Sequence, residues 1–195
     1  MTVGEVMEVV DRDGLFMDES GGGVTFSGGE PLLQGEFLGE MLAECKKREM
    51  HTAVDTAGYG ESGVLRGILG NVDLFLFDLK IMDEAEHWKY VGASNRGILG
   101  NLRILAEGGA RVVIRLPVVP GVTDGAGNLG AVGDYVSELR LREIHLLAYH
   151  QYAAGKYERM GMANRMLGVD EPSAERMEEV KRYFEGRGFV VRVGG

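Results

Sequence analysis

The chain has 195 residues, 45% of them hydrophobic, and a formal net charge of −9. That length buries a real core within one domain, and the acidic balance argues against nucleic acid or an anionic membrane as a main partner, since either needs a basic patch. One cysteine excludes an internal disulfide and an all-cysteine metal site, and with no apolar run near the roughly 18 residues of a membrane span and no signal-peptide pattern, a cytoplasmic protein is expected.

Thr2-x-x-Glu5 is a capping box ahead of Val3, Val6, Val9 and Val10 at helical spacing, which predicts a helix over 2–12. Gly21-Gly22-Gly23 opens onto Val24-Thr25-Phe26-Ser27, whose β-formers predict a short strand. Gly28-Gly29 breaks that strand. A Gly-Gly pair at a strand end leaves no Cβ between backbone and ligand, and Glu30 behind it offers a carboxylate to a ligand's ammonium group. The helix expected over 35–48 places Phe37, Leu38, Met41, Leu42 and Cys45 on one face, so Cys45 reads as a buried, inert thiol.

His51–Thr56 reads as the second strand, followed by a short helix over 64–69. Residues 72–80 form the clearest strand: Leu74, Leu76, Asp78 and Lys80 alternate against Phe75, Phe77 and Leu79. A helix over 97–107 uses Ile98, Leu102 and Leu105. The strand over 111–116 is expected to stop at Pro117 and run into a proline-stiffened loop, 118–124. Asn128 is placed to cap a helix that buries Leu129, Val132, Val136 and Leu139. Glu143–Ala148 is a fifth strand, 173–187 a last helix with Met177, Val180 and Phe184 inside, and Val190–Val193 a candidate final strand.

Strand and helix alternate five times, which predicts an α/β chain with a parallel sheet covered by helices; periodicity leaves open whether the sheet is flat or curled. In any such fold the ligand sits beyond the carboxyl ends of the strands. Those ends carry Gly28-Gly29-Glu30, Asp55-Thr56, Asp78 with Lys80, Arg115, and His150. Singly, each has an ordinary structural explanation. Together they offer carboxylates to an amine and cations to a carboxylate, which suits an amino-acid-like ligand.

Several longer strings go further. Val-Thr-Phe-Ser-Gly-Gly-Glu-Pro-Leu-Leu-Gln (24–34), Asp-Thr-Ala-Gly (55–58), Asp-Leu-Lys (78–80), Ile-Arg-Leu-Pro-Val-Val-Pro-Gly-Val-Thr-Asp (114–124), Leu-Leu-Ala-Tyr-His (146–150) and Lys-Tyr-Glu-Arg-Met-Gly (156–161) occur in this order. In them the chain resembles the radical S-adenosylmethionine (SAM) activating enzymes of glycyl radical enzymes, the pyruvate formate-lyase activating enzyme family. The resemblance runs over nearly the whole chain. It implies a partial, six-stranded (β/α) barrel with its first strand missing here, five main parallel strands, and an exposed edge at 24–27. It also implies that Gly28, Gly29, Glu30, Asp78, Lys80, Arg115 and His150 hold the methionyl end of SAM. A monovalent cation is implied at Asp55, Thr56, the carbonyl of Leu76, and Asp78. The implied chemistry is cleavage of SAM by a reduced 4Fe-4S cluster, giving a 5′-deoxyadenosyl radical that abstracts hydrogen from a glycine of the partner glycyl radical enzyme. Flavodoxin or ferredoxin is the implied electron donor.

One departure matters. The family's cluster loop, Cys-x3-Cys-x2-Cys, would precede Val24, and residues 1–23 contain no cysteine. The expectation is therefore a single barrel domain that is the C-terminal part of a longer protein and inactive alone. A non-catalytic module that binds SAM or a partner without a cluster is the alternative. A barrel lyase with Lys80 as a Schiff-base amine ranks last, because nearby Asp78 favours a charged lysine.

Overall fold

Local sequence signals account for most element boundaries in the computed structural model, which describes residues 1–150 and 168–194. The Thr2 hydroxyl accepts from Glu5 N while the Glu5 carboxylate accepts from Thr2 N at 2.7 Å, starting helix α1 (Val3–Val10). Helical structure then runs past the expected stop at residue 12, through one 3-10 turn into α2 (Gly14–Ser20). Gly21 ends it in the left-handed region, at φ 64°. After β1 (Gly23–Phe26) a 3-10 turn, Pro31–Gln34, leads into α3 (Gly35–Lys47). Next come β2 (His51–Thr56), α4 (Ser62–Ile68), β3 (Leu74–Asp78), α5 (Glu84–Val91) and α6 (Arg96–Glu107). The remainder is β4 (Val112–Val118), α7 (Ala126–Glu138), β5 (Glu143–Ala148), α8 (Ala174–Glu185) and β6 (Val190–Val193).

The strands lie in one six-stranded sheet in chain order, β1 to β6, so the candidate final strand is a full member and five becomes six. The β1–β2, β2–β3, β4–β5 and β5–β6 ladders are parallel, as helical crossovers require. Their register sets Phe26 opposite Val54, Asp55 opposite Leu76, and Arg115 opposite His145.

Packing divides the chain into two compact units, Met1–Phe77 with Gly97–Val112, and Asp78–Arg96 with Val113–Gly195. In the first, Met7, Met41 and Cys45 are buried against Val3, Val6, Val10, Val24, Phe26 and Met50. At the amino end of β2, Asp73 accepts from Lys46 Nζ at 2.5 Å and from Thr52 N at 2.8 Å, stapling α3 to the sheet. In the second unit α8 buries Met177, Val180 and Phe184, and Phe184 meets Phe189 edge to face at 5.9 Å.

Four expectations need correction. Helix α5 was not foreseen; its signals are the Asp83 side chain accepting from Glu86 N at 2.9 Å and Gly92 at φ 85°. Pro117 lies inside β4 rather than ending a strand. Leu79 N donates to the Arg115 carbonyl, so the backbone of residue 117, two further along, points past the end of β3, where a missing N–H costs nothing. The Pro117 carbonyl instead accepts from the Thr123 hydroxyl at 2.5 Å. Phe37 is 36% exposed, outside the buried stripe of Leu38, Met41, Leu42 and Cys45. Finally Gly125, not Asn128, caps α7; Asn128 sits in the first turn and turns its side chain to neighbouring loops.

Candidate functional site

Each unit builds its own part of the predicted constellation at the carboxyl ends of its strands. In the first unit the chain leaves β1 through Gly28 at φ 130°, a conformation open to glycine alone. A Cβ on Gly28 or Gly29 would meet nothing within 4 Å. Gly29 is thus bare for no steric reason inside the chain, and the backbone there is exposed and open to a close approach.

Glu30 behaves differently from a free ligand carboxylate. Its Oε1 accepts from Leu32 N at 3.2 Å and from the buried Thr56 hydroxyl at 2.5 Å, while Oε2 accepts from Ala57 N at 2.9 Å. Three of its roughly four lone-pair directions are therefore filled by the protein. Thr56 Oγ1 also accepts from Gly58 N at 2.8 Å, so Glu30 fixes the exit of β2. From α6, Asn101 Nδ2 donates to the carbonyls of Gly58 and Gly60, both at 2.9 Å, and its Oδ1 accepts from Ser62. Gly58, at φ 72°, has no room for a Cβ, which would fall 2.3 Å from the Phe77 ring. Asp55 is half-buried beside this loop.

In the second unit Asp78, Lys80 and Arg115 lie together. Arg115 sets Nε at 2.9 Å and Nη2 at 2.8 Å from Asp78 Oδ1, and Lys80 Nζ lies 3.6 Å from Oδ2. Two cations face one carboxylate. The guanidinium and the ammonium group there are both of a kind that can meet a ligand carboxylate. His150, at the exit of β5, is exposed and lies 3.3 Å from Glu171 Oε2. The 156–161 string lies outside the described residues.

The residues that sequence reasoning missed are amides. Asn95 Nδ2 donates to the carbonyls of Ile81 and Met82, and Asn128 donates to those of Lys80 and Thr123. Their signal was an asparagine in or just ahead of a helix's first turn; sequence reasoning singles out only Asn128, and only as a cap. Arg176 on α8 adds a further brace, with Nε 2.8 Å from Asp124 Oδ2.

Cys45 is fully buried, and that burial pushes its thiol above the ordinary range. Among the described residues no three His, Cys, Asp or Glu side chains are grouped to hold a metal ion. With a single cysteine in the sequence, and that one fully buried, the side chains of these 195 residues do not fit an iron–sulfur cluster. Among the same residues no helix is long and apolar enough to cross a membrane.

The Radical SAM superfamily model matches residues 1–127. The chain is 36% identical over 197 residues to the trans-4-hydroxy-L-proline dehydratase activating enzyme of Clostridioides difficile, covering 100% of itself and 65% of that protein. It is 36% identical over 200 residues to the benzylsuccinate synthase activating enzyme of Thauera aromatica, covering 100% of itself and 60% of the relative. The chain thus spans less than two thirds of the length of these relatives. A crystal structure of a domain of the pyruvate-formate lyase-activating enzyme from Bacteroides vulgatus matches with a TM-score of 0.75 and 31% identity, over 89% of this chain and 99% of that one. That likeness places the fold with the α/β partial barrels of radical SAM enzymes.

Proposed function

This chain belongs to the radical SAM superfamily, and from that premise we propose that it is the barrel portion of a glycyl radical enzyme activase, bearing residues for the methionyl end of SAM. The observation that carries this reading is similarity to activating enzymes along 100% of the chain, not in one motif.

The open backbone at Gly29 in the first unit and the Lys80–Asp78–Arg115 cluster in the second each offer groups of the kind that SAM's amino-acid end needs. Gly28 and Gly29 bring bare backbone to it, and the last open direction of the Glu30 carboxylate accepts from its ammonium group. Lys80 and Arg115, held by Asp78, meet its carboxylate, and His150 completes the set. SAM, when bound, supplies a sulfonium carbon–sulfur bond open to one-electron reduction. Asp55, Thr56 and the carbonyl of Leu76, with Asp78 at the end of the same strand as Leu76, are the residues for a monovalent cation. The cluster is a different matter. With one buried cysteine, its ligands lie outside these 195 residues, and no step runs through it here. The partner is a glycyl radical enzyme, such as a pyruvate formate-lyase, and the electron donor a flavodoxin or ferredoxin. A second reading, a binding module without chemistry, is favoured by that same lone cysteine.

The test has two arms. Titrating the chain with SAM, followed by NMR, should show saturable binding near or weaker than about 1 mM, worth about 4 kcal/mol or less without iron chelation, and K80M should abolish it. No saturable binding overturns the assignment of these residues. Reconstitution with iron and sulfide, then dithionite, should give neither a stoichiometric cluster nor 5′-deoxyadenosine; either product overturns the placement of the cluster ligands.

A further inference from the structure

The stretch just past Lys80 belongs to no helix or strand, yet the carbonyls of Lys80, Ile81 and Met82 and the N–H of Met82 are held by side chains. Ile81 is buried, at 4% exposure, so its polar backbone needs partners inside the protein. Two asparagines supply them. Asn95, 3% exposed, donates from Nδ2 to Ile81 O at 3.0 Å and to Met82 O at 2.8 Å. Asn128 donates from Nδ2 to Lys80 O at 2.9 Å, and its Oδ1 accepts from Met82 N at 2.9 Å.

Asn128 makes one more bond, from Nδ2 to Thr123 O at 2.9 Å. Thr123 in turn accepts from Val119 N at 2.8 Å and donates to Pro117 O, two residues beyond Arg115. One carboxamide therefore ties the backbone that carries Lys80 to the exit of the strand that carries Arg115. Asp78 sits between those two cations. All these residues belong to the second unit.

We infer that Asn128 is a positioning residue that sets the Lys80 ammonium against Asp78 by fixing the backbone on both sides of Ile81 to the β4 exit loop. The inference rests on the reading of Lys80 and Asp78 as ligand-binding groups. Replacing Asn128 by Asp keeps size and the acceptor for Met82 N but deletes both donations; replacing it by Ala deletes all three bonds. Either change frees Lys80 from a defined geometry while Asp78 keeps Arg115.

The test is competitive acylation of the native chain at fixed pH with limiting reagent, read by mass spectrometry, with Lys89 and Lys181 as internal references. In N128D and N128A the Lys80 side chain, released from its fixed place, should be acylated about two- to fivefold faster, the scale of one lost partly exposed contact, while both references stay level. N101A, which removes the corresponding brace from the β2 exit, should lower the unfolding midpoint without changing Lys80. A purely structural Asn128 would lower the midpoint and leave the Lys80 rate alone, and that result overturns the inference. Should neither variant fold, N128S, with one donor and one acceptor, is judged by the same criterion. SAM titration of the same samples separates the two claims. A wild-type chain that does not bind SAM refutes the proposed function even when the Lys80 rate moves; SAM binding with an unmoved Lys80 rate refutes only the role of Asn128.

Discussion

Thr56→Val isolates the contact that holds the exit of β2, because the two side chains have nearly the same shape. The hydroxyl it removes donates to Glu30 Oε1 at 2.5 Å and accepts from Gly58 N at 2.8 Å, in a site where Thr56 is 2% exposed. A hydrogen bond to a charged group contributes about 1.5–3 kcal/mol, and leaving a buried N–H without a partner costs about 1–3 kcal/mol. Glu30 keeps Leu32 N and Ala57 N, which limits the first loss, and the added methyl group is itself well buried. The net loss should be about 2–4 kcal/mol, whereas Thr56→Ser, which keeps both bonds, should lose about 1 kcal/mol or less. With a urea dependence of about 1–3 kcal/mol per molar, the valine variant's unfolding midpoint should fall by roughly 1 M or more, and amide exchange at Ala57 and Gly58 should accelerate. A T56V protein within about 0.5 kcal/mol of the parent, a typical change for an uninvolved surface site, would refute the claim that Glu30 acts through this hydroxyl.

Two further outcomes follow from charge and burial. Burial opposes the charged form of Asp73, but hydrogen bonds from Lys46 and Thr52 outweigh it and hold its carboxyl below the usual aspartate range. A depressed folded value means the staple's stability is present above the unfolded value of about 3.9 and is lost as pH falls through the folded one; D73N should be less stable than the parent at pH 7, with the gap closing below about pH 4 in urea titrations. Cys45, buried and with its thiol raised, should resist iodoacetamide in the native protein and react on unfolding in urea, and alkylation at the same rate in both states would refute its core position.

How much of this was legible beforehand depends on the range of the interaction. The capping box at Thr2, the alternation through Leu74–Asp78 and the strands His51–Thr56 and Glu143–Ala148 were readable because each signal is local. That Asp78, Lys80 and Arg115 stand at strand ends was readable, but the pairing of Asp78 with Arg115 was not. What was not legible depended on distant partners. Pro117 stays in a strand because β3 has already stopped beside it. Glu30 reads as a carboxylate for a ligand alone, and only the fold reveals that Thr56 and Ala57, 26 and 27 residues away, also hold it. Asn128 looks like a helix cap, and only the fold reveals that Lys80 O, 48 residues back, is its partner. α5 was missed for another reason: its Asp83 and Gly92 signals were local, but its apolar face is short and Trp88 lies 59% exposed.

The β1–β2, β2–β3, β4–β5 and β5–β6 ladders each join strands that are consecutive in the sequence. During synthesis, then, β2, β3, β5 and β6 each emerge to find a partner already made, and none of these pairings waits on a distant later segment. The loop to be closed each time is one crossover long, so the entropy of closure is met in instalments of similar size. Such a sheet can grow on the ribosome from its first edge outward, one strand at a time with the helical crossover that precedes it. A stall after three or more strands would leave a shorter sheet whose paired strands already have their final neighbours.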